Sequence, residues 1–435
     1  MCREATIHKS SDRIDANPIS KINSIGELFR DYGEEYILKC NPYKEQIKLI
    51  RSIRICKTPA LGGHVYTCLK CQHKHFIYKS CGNSRCMICQ SIKREQWNDK
   101  LRKSLLEVPY LHCVFTLPHE LNNLCRQNQM VMYSLIMKAA WKTIKQIGAE
   151  QEFNPGMTSV LHTFGSDMNY HIHVHSLVTF GGLTKAGEWK YPKEKNKIEK
   201  YRKICSIYKR IYLDELKILI NKKQIKYHTS IEELIETVEK LRWVVHSTRP
   251  TMNSEVIEKY LARYINRIAI SPNRLHYVKE KCEVNVIYND YKNQKSGEAA
   301  PKQIKYLKPL EAIYQILQHT LPMYFQKSRC YGLHNSSTKI QKQIPLKLKR
   351  NGITIRTIFE IVTHLLQLDS LKCELCGSLE FVNEDFKPDY NYILKFISPC
   401  SLKSPPQSAP YPHISSHTVQ SVHVNVLSGI IPFIP

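Results

Sequence analysis

The chain has 435 residues and carries 64 Lys and Arg against 38 Asp and Glu, a formal charge of +26. That length exceeds one small core and predicts two or three domains. So large a cationic excess points to a polyanionic partner, DNA above all, because cations that displace counterions from phosphates drive binding. No run is long and apolar enough to span a bilayer, and the opening residues show no apolar leader core. A membrane partner is therefore not expected, and a reducing, cytoplasmic, nucleoid-associated setting is.

Residues 1 to about 55 show helical spacing in Ile25, Leu28 and Phe29, then Tyr36, Ile37 and Leu38, then Ile47, Leu49 and Ile50. Next comes Cys68-x2-Cys71-x14-Cys86-x2-Cys89. In a reducing setting, clustered cysteines read as metal ligands rather than disulfides. Random placement of the 16 cysteines gives about 0.6 Cys-x2-Cys pairs, and the chain has three. The tandem pairs predict one closed tetrahedral zinc site, Cys68, Cys71, Cys86 and Cys89, structural because no ligand position is left open. Cys56, His64 and Cys81 are candidates for a second zinc. Lys93 and Arg94, just beyond, suit DNA phosphates. The third pair, Cys373 and Cys376, stands alone in sequence.

Tyr110 to Leu117 reads as a strand ended by Pro118, and residues 121–150 read as a helix. Two further strands, Val160 to Phe164 and His171 to Phe180, flank a turn at residues 165–169. In the second, His171, His173 and His175 alternate with Ile172 and Val174, so the imidazoles share one face and the aliphatics pack behind them. Neutral imidazoles converging from one strand can hold a divalent cation, and in a chain this basic such a cation implies chemistry on phosphate. Antiparallel pairing about the turn puts His162 opposite His173 and makes it a third-ligand candidate; a one-residue slip would remove it. His171 and Asp167 are its rivals.

Residues 184–255 are Lys-rich and helical in pattern and read as an insertion. Residues 257–268 predict a helix, 275–291 alternate like β-structure, and 308–325 predict a helix. The tail from 390 is basic and rich in Pro and Ser, a composition that does not build a core.

The nucleophile is open at this level: metal-activated water would give a hydrolase, and a tyrosine would give a covalent DNA intermediate. The 25 tyrosines predict about 1.4 Tyr-x3-Tyr pairs by chance, each with both hydroxyls on one helix face. Three occur: Tyr32/Tyr36, Tyr208/Tyr212 and Tyr260/Tyr264. The third adds Arg263 and Arg267 for phosphate oxygens, which favours it.

Several motifs in order resemble the HUH two-tyrosine transposases of bacterial insertion sequences, which move by a rolling-circle-like route. They are Cys56 to His64 leading into the knuckles, Val114 to Leu121, His171 to His175 with Gly181-Gly182-Leu183, Tyr260-Leu261-Ala262-Arg263-Tyr264, and Leu321 to Leu333. The resemblance implies an α+β fold with an HUH endonuclease core, an antiparallel sheet flanked by helices. It places the metal pair on His173 and His175 and the catalytic tyrosines on Tyr260 and Tyr264. It further implies catalytic Mg²⁺ or Mn²⁺, structural Zn²⁺, a 5′-phosphotyrosine intermediate, and single-stranded or hairpin transposon ends and target DNA as substrate.

The expected organisation is N-terminal helices and zinc-binding domain over 1–106, nuclease core over 107–183 and 256–345, helical insertion over 184–255, C-terminal helix and knuckle over 346–389, and tail over 390–435. Rival readings are a plasmid relaxase or replication initiator of the same chemistry, a histidine-triad nucleotide hydrolase, and a non-catalytic zinc-knuckle DNA-binding protein.

Overall fold

The computed structural model describes residues 24–193, 197–227, 230–252, 257, 270, 272–295, 298–337, 343–349, 355–357, 360–361, 373–389 and 391–392. Tyr260, Arg263, Tyr264 and Arg267 lie outside the described residues, as does the tail beyond 392.

Among the described residues, eight α-helices and four antiparallel sheets form an α+β fold. The elements in order are α1 (Ser24–Cys40), α2 (Lys44–Ile55), β1 (Gly63–Cys68), β2 (Lys74–Tyr78), α3 (Ser91–Ser104), β3 (Tyr110–Thr116), α4 (Asn122–Gln127), α5 (Gln129–Glu150), β4 (Gly156–Phe164) and β5 (Tyr170–Thr179). A short hairpin of β6 (Gly182–Leu183) and β7 (Trp189–Lys190) follows, then α6 (Lys197–Asn221), α7 (Ile231–Lys240) and β8 (Val245–Ser247). The chain continues through β9 (Leu275–Val278), β10 (Glu283–Asn289), β11 (Lys302–Leu307), α8 (Pro309–Leu317), β12 (Ser328–Gly332) and β13 (Phe381–Phe386). No described helix is long and apolar enough to cross a membrane.

The central sheet has five strands in the order β12-β4-β5-β3-β8. One face, built from Cys113, Phe115, Met157, Leu161, Ile172, Val174 and Val245, is the main core. Helix α5 covers it with Met132, Ile136, Ala139, Ala140 and Ile144, one stripe at three- and four-residue spacing. Helix α6 adds Tyr208 and Tyr212. The opposite face carries the alternate residues: His112 on β3, His162 on β4, and His173 and His175 on β5. Residues 245–247, within the expected insertion, return to this sheet as its edge strand.

A second assembly packs α1 and α2 against β9–β11 and α8 through Ile25, Leu28, Phe29, Ile50, Ile53, Leu275, Val284, Val286 and Ile313. Part of the expected nuclease segment 256–345 thus sides with the N-terminal helices. A third sheet, β13-β1-β2, draws on both ends of the described chain. The 346–389 stretch, expected as a segment of its own, joins the N-terminal module through β13.

The helix expected over 121–150 divides at Asn128, whose φ is −129°. Its side-chain amide donates to the Lys226 carbonyl at 2.6 Å and accepts from the Lys226 N–H at 2.7 Å. This two-way bond to the α6–α7 connection replaces helix continuity, which periodicity alone does not reveal.

Pro322 to Phe325 forms a turn closed by Phe325 N–H to the Pro322 carbonyl at 3.2 Å. Tyr324 holds its left-handed position at φ +61° with 90 % of its surface exposed. That conformation costs an L-residue about 1–2 kcal/mol, whereas glycine's extra unfolded-state freedom costs about 0.4–1 kcal/mol. Relief outweighs entropy, and almost no side-chain contact is lost. Tyr324→Gly should raise unfolding stability by about 0.5–1 kcal/mol in a urea titration; a lowered midpoint would show the turn is not strained.

Candidate metal centre

The histidine centre is built by strand register. β4 and β5 pair with His162 directly opposite His173 and Val160 opposite His175. Ligand nitrogens of His162, His173 and His175 all lie within 4.8 Å of one another. Ring centroids are 4.5 Å apart for His162 and His175, 4.8 Å for His173 and His175, and 5.3 Å for His162 and His173. All three rings are buried. The pairing register shifts between His162 and Phe164, an irregularity of the kind that re-aims side chains.

The two rivals stand apart from this group. His171 is exposed. Asp167 caps its own turn, accepting from the Asn169 N–H at 3.2 Å and the Asn169 amide at 2.5 Å. Among the described residues, the cluster is three imidazoles without a carboxylate. Three imidazole nitrogens converging from one face could hold a divalent ion, which would act as a Lewis acid on a bound phosphate.

One side chain beside the cluster escaped the sequence reading. His112 of β3 sits beside His175, its Nε2 2.9 Å from His175 Nδ1 and the rings stacked at 5.2 Å. Burial, reinforced by the charge of His246, pushes its pKa down to about 3, so His112 is neutral. Its only sequence signal is its alternation within the Tyr110–Thr116 strand, and that carries no register.

The hairpin turn is strapped from outside the sheet. His319 Nε2 bonds the Met168 carbonyl at 3.0 Å and its Nδ1 bonds Thr163 Oγ1 at 3.2 Å. The Gln318 amide donates to the same carbonyl at 3.1 Å, and Arg274 bonds the Ser166 carbonyl.

Of the other tyrosine pairs, Tyr208 and Tyr212 are fully buried. They lie behind the sheet, against Phe115 and Trp243, and burial drives both hydroxyls well above their ordinary pKa. Tyr36 is buried in the α1 core; burial, helped by Cys282, pushes half-buried Tyr32 up to about 12. Neither pair faces the histidines. The segment holding Tyr260 and Tyr264 is bracketed by Ile257, in one cluster with Leu177 on the histidine face, and Ile270, in one cluster with Met168 of the hairpin turn.

The cysteines do not form the site expected of them. Cys86 and Cys89 group with Cys56 and Cys81, and Cys68 and Cys71 group with Cys373 and Cys376. The tandem knuckles are parted because Cys68 ends β1, whose neighbour across the sheet is β13, while Cys56, Cys86 and Cys89 pack with the α1–α2 core. Sulfur separations of 3.4, 3.5 and 3.7 Å lie near the edge of about 3.8 Å expected for a tetrahedral site with zinc–sulfur bonds of about 2.3 Å. His64 joins neither group; its Nδ1 lies 2.5 Å from Asp385 Oδ1. Lys93 is exposed on α3; the side chain of Arg94 lies outside the description.

Comparison with known proteins accords with this architecture. Residues 156–342 match the family described as "Putative transposase" and residues 28–117 the "Transposase zinc-binding domain" of IS91 type. The "Putative transposase y4qJ" of Sinorhizobium fredii is 30 % identical over 331 residues, covering 73 % of this chain and 82 % of that protein. The "Transposase for insertion sequence element IS801" of Pseudomonas savastanoi pv. phaseolicola is 26 % identical over 346 residues, covering 77 % and 82 %. No solved structure matches. The chain belongs to the IS91-type family of insertion-sequence transposases with an N-terminal zinc-binding domain. A transposase acts on DNA, in keeping with the charge of +26, and the zinc-domain match supports structural zinc in the cysteine module.

At the far end of the histidine face, His334 bonds Tyr110 Oη at 3.2 Å and Thr158 Oγ1 at 2.9 Å. Burial pushes its pKa down to about 4, below about 6.5 for an unfolded histidine. The unfolded chain then binds the extra proton between those values, so stability is whole above about pH 6.5 and falls toward pH 4, by roughly 3 kcal/mol at most. His334→Gln should flatten the acid limb of urea midpoints between pH 7 and 4.5; an unchanged slope would show that His334 does not carry it.

Proposed function

We propose that this transposase nicks and rejoins single-stranded DNA at the ends of its insertion sequence through a covalent 5′-phosphotyrosine, with a divalent ion held by His162, His173 and His175. The observation that carries the proposal is the convergence of those three ligand nitrogens within 4.8 Å on one face of the sheet. Mg²⁺ or Mn²⁺ bound there would polarise the scissile phosphate and offset charge developing in the transition state.

The nucleophile is the hydroxyl of Tyr260 or Tyr264. Its oxygen bonds to phosphorus as the bond to the 3′ oxygen breaks; the phenol proton goes to solvent and the 3′ oxygen leaves as a hydroxyl. Attack by a 3′-hydroxyl reverses the step and joins strands, and the phosphotyrosine bond keeps the energy of the phosphodiester. Two further points support these tyrosines. Tyr36, Tyr208 and Tyr212 are core residues and Tyr32 packs half-buried against the α1 core, and the segment between Ile257 and Ile270 has its flanks in clusters at both ends of the histidine strand. Arg263, Arg267, Lys93 and Arg94 would bind DNA phosphates.

The test is labelled single-stranded end DNA with Mn²⁺ on a denaturing gel. A protein–DNA adduct that weakens in Tyr260→Phe or Tyr264→Phe and vanishes in the double variant and in His173→Ala is expected. Cleavage without an adduct would replace tyrosine by water, and binding without cleavage would leave a DNA-binding protein.

His112 acts as a positioning residue in this reading. By holding Nδ1 of His175, it presents the opposite ring nitrogen to the ion, and loss of such a partner typically costs about 10–100-fold in metal affinity. His112→Phe should weaken Mn²⁺ binding by that order in an EPR titration without DNA, and His112→Gln, which retains a polar end, should restore much of it. Equal affinity in wild type and His112→Phe would rule the role out.

A further inference from the structure

We infer that Cys68, Cys71, Cys373 and Cys376 hold a second structural zinc, separate from the ion of Cys56, Cys81, Cys86 and Cys89, and that it clasps the N-terminal module to the C-terminal strand β13. Both family-matched segments, 28–117 and 156–342, end before Cys373, so half of this site lies outside them.

The two knuckles have the same backbone design. In the first, Gln72 takes a left-handed φ of +62° and its N–H bonds the Cys68 carbonyl at 2.9 Å. In the second, Gly377 takes φ +69° and its N–H bonds the Cys373 carbonyl at 2.8 Å. Two equivalent turns therefore face each other, with Cys68 3.5 Å from Cys376 and Cys71 3.4 Å from Cys373. These distances are far too long for disulfides, whose sulfurs lie about 2.05 Å apart.

The sheet needs such an ion. β13 pairs with β1 over six residues, from Gly63 opposite Phe386 to Cys68 opposite Phe381. Yet β2 and β13 bury no residue fully, and β1 buries only Gly63 and Cys68. Three strands with so little core do not hold themselves together, and metal binding supplies folding free energy where a core cannot. The ligands come from positions 302 and 308 residues apart, so a chain ending before Cys373 keeps both matched segments and loses the clasp.

The two sites should differ in lability. Cys56 and Cys86 belong to the α1–α2 core, whereas Cys71 is exposed. A chelator added to the full-length holoprotein should remove the clasp ion first.

The experiment is zinc content by mass spectrometry of the full chain and of Cys373→Ser/Cys376→Ser, with hydrogen exchange as a second reading. The double variant should hold one zinc fewer than wild type. On chelation of wild type, amides of β1 and β13 should lose protection with the first ion released, while β4 and β5 stay protected. An unchanged zinc count in a folded double variant would overturn the inference. If that variant fails to fold, β13 still protected after the first ion has left wild type would overturn it. Neither reading involves DNA cleavage, so the outcome is independent of the tyrosine chemistry.

Discussion

The pairing of β4 with β5 is the constraint on which the site depends. Side chains alternate with a period of two, so sliding β4 by one residue would turn His162 into the core and bring Leu161 or Thr163 to the metal face. The register is held by more than backbone bonds. Leu161, Ile172 and Val174 pack into the main core on the helix side, and exchanging them for histidines would break that packing and set imidazoles among aliphatic side chains. The hydrophobic energy of one face thereby fixes the chemistry of the other. At the turn, where a slip would begin, the carbonyls of Ser166 and Met168 are bonded by Arg274, Gln318 and His319. The assembly that includes α1, β9–β11 and α8 thus braces the hairpin that carries the ligands.

This division between faces also sorts the tyrosines. A phenol on the helix side is separated from the histidines by the thickness of the sheet, and Tyr208 and Tyr212 are fixed there against Phe115 and Trp243. Their spacing matches that of Tyr260 and Tyr264, yet burial makes ionisation of their hydroxyls still harder. Spacing describes a helix face; the sheet decides whether that face meets a core or a substrate.

Legibility in the sequence followed the range of the interaction. The three-histidine alternation, the turn at 165–169 and the opposition of His162 to His173 were readable because a short hairpin makes register a matter of counting. The partnership of His112 with His175 was not, since β3 and β5 are joined through two helices and another strand. The break at Asn128 was hidden for a similar reason: its cause is a bond to Lys226, 98 residues on. Cysteine spacing misled where it looked strongest. Tandem knuckles 14 residues apart imply a shared ion only if nothing nearer competes, and here Cys56 and Cys81 complete one set while a distant knuckle completes the other.

That distant completion bears on how the chain is organised. A domain read as a continuous segment would have ended near residue 106, yet its outer sheet takes β13 from beyond the last strand of the central sheet. The insertion region likewise returns a strand, β8, to the core it interrupts. In both cases an edge strand is supplied from elsewhere in the chain, which satisfies backbone groups that an exposed edge would leave open. The central sheet, with a hydrophobic layer behind it, holds its returning strand by burial of Val245. The outer sheet has no such layer, and in the inferred clasp the Cys373 and Cys376 ligands just ahead of its returning strand supply the cohesion that burial cannot.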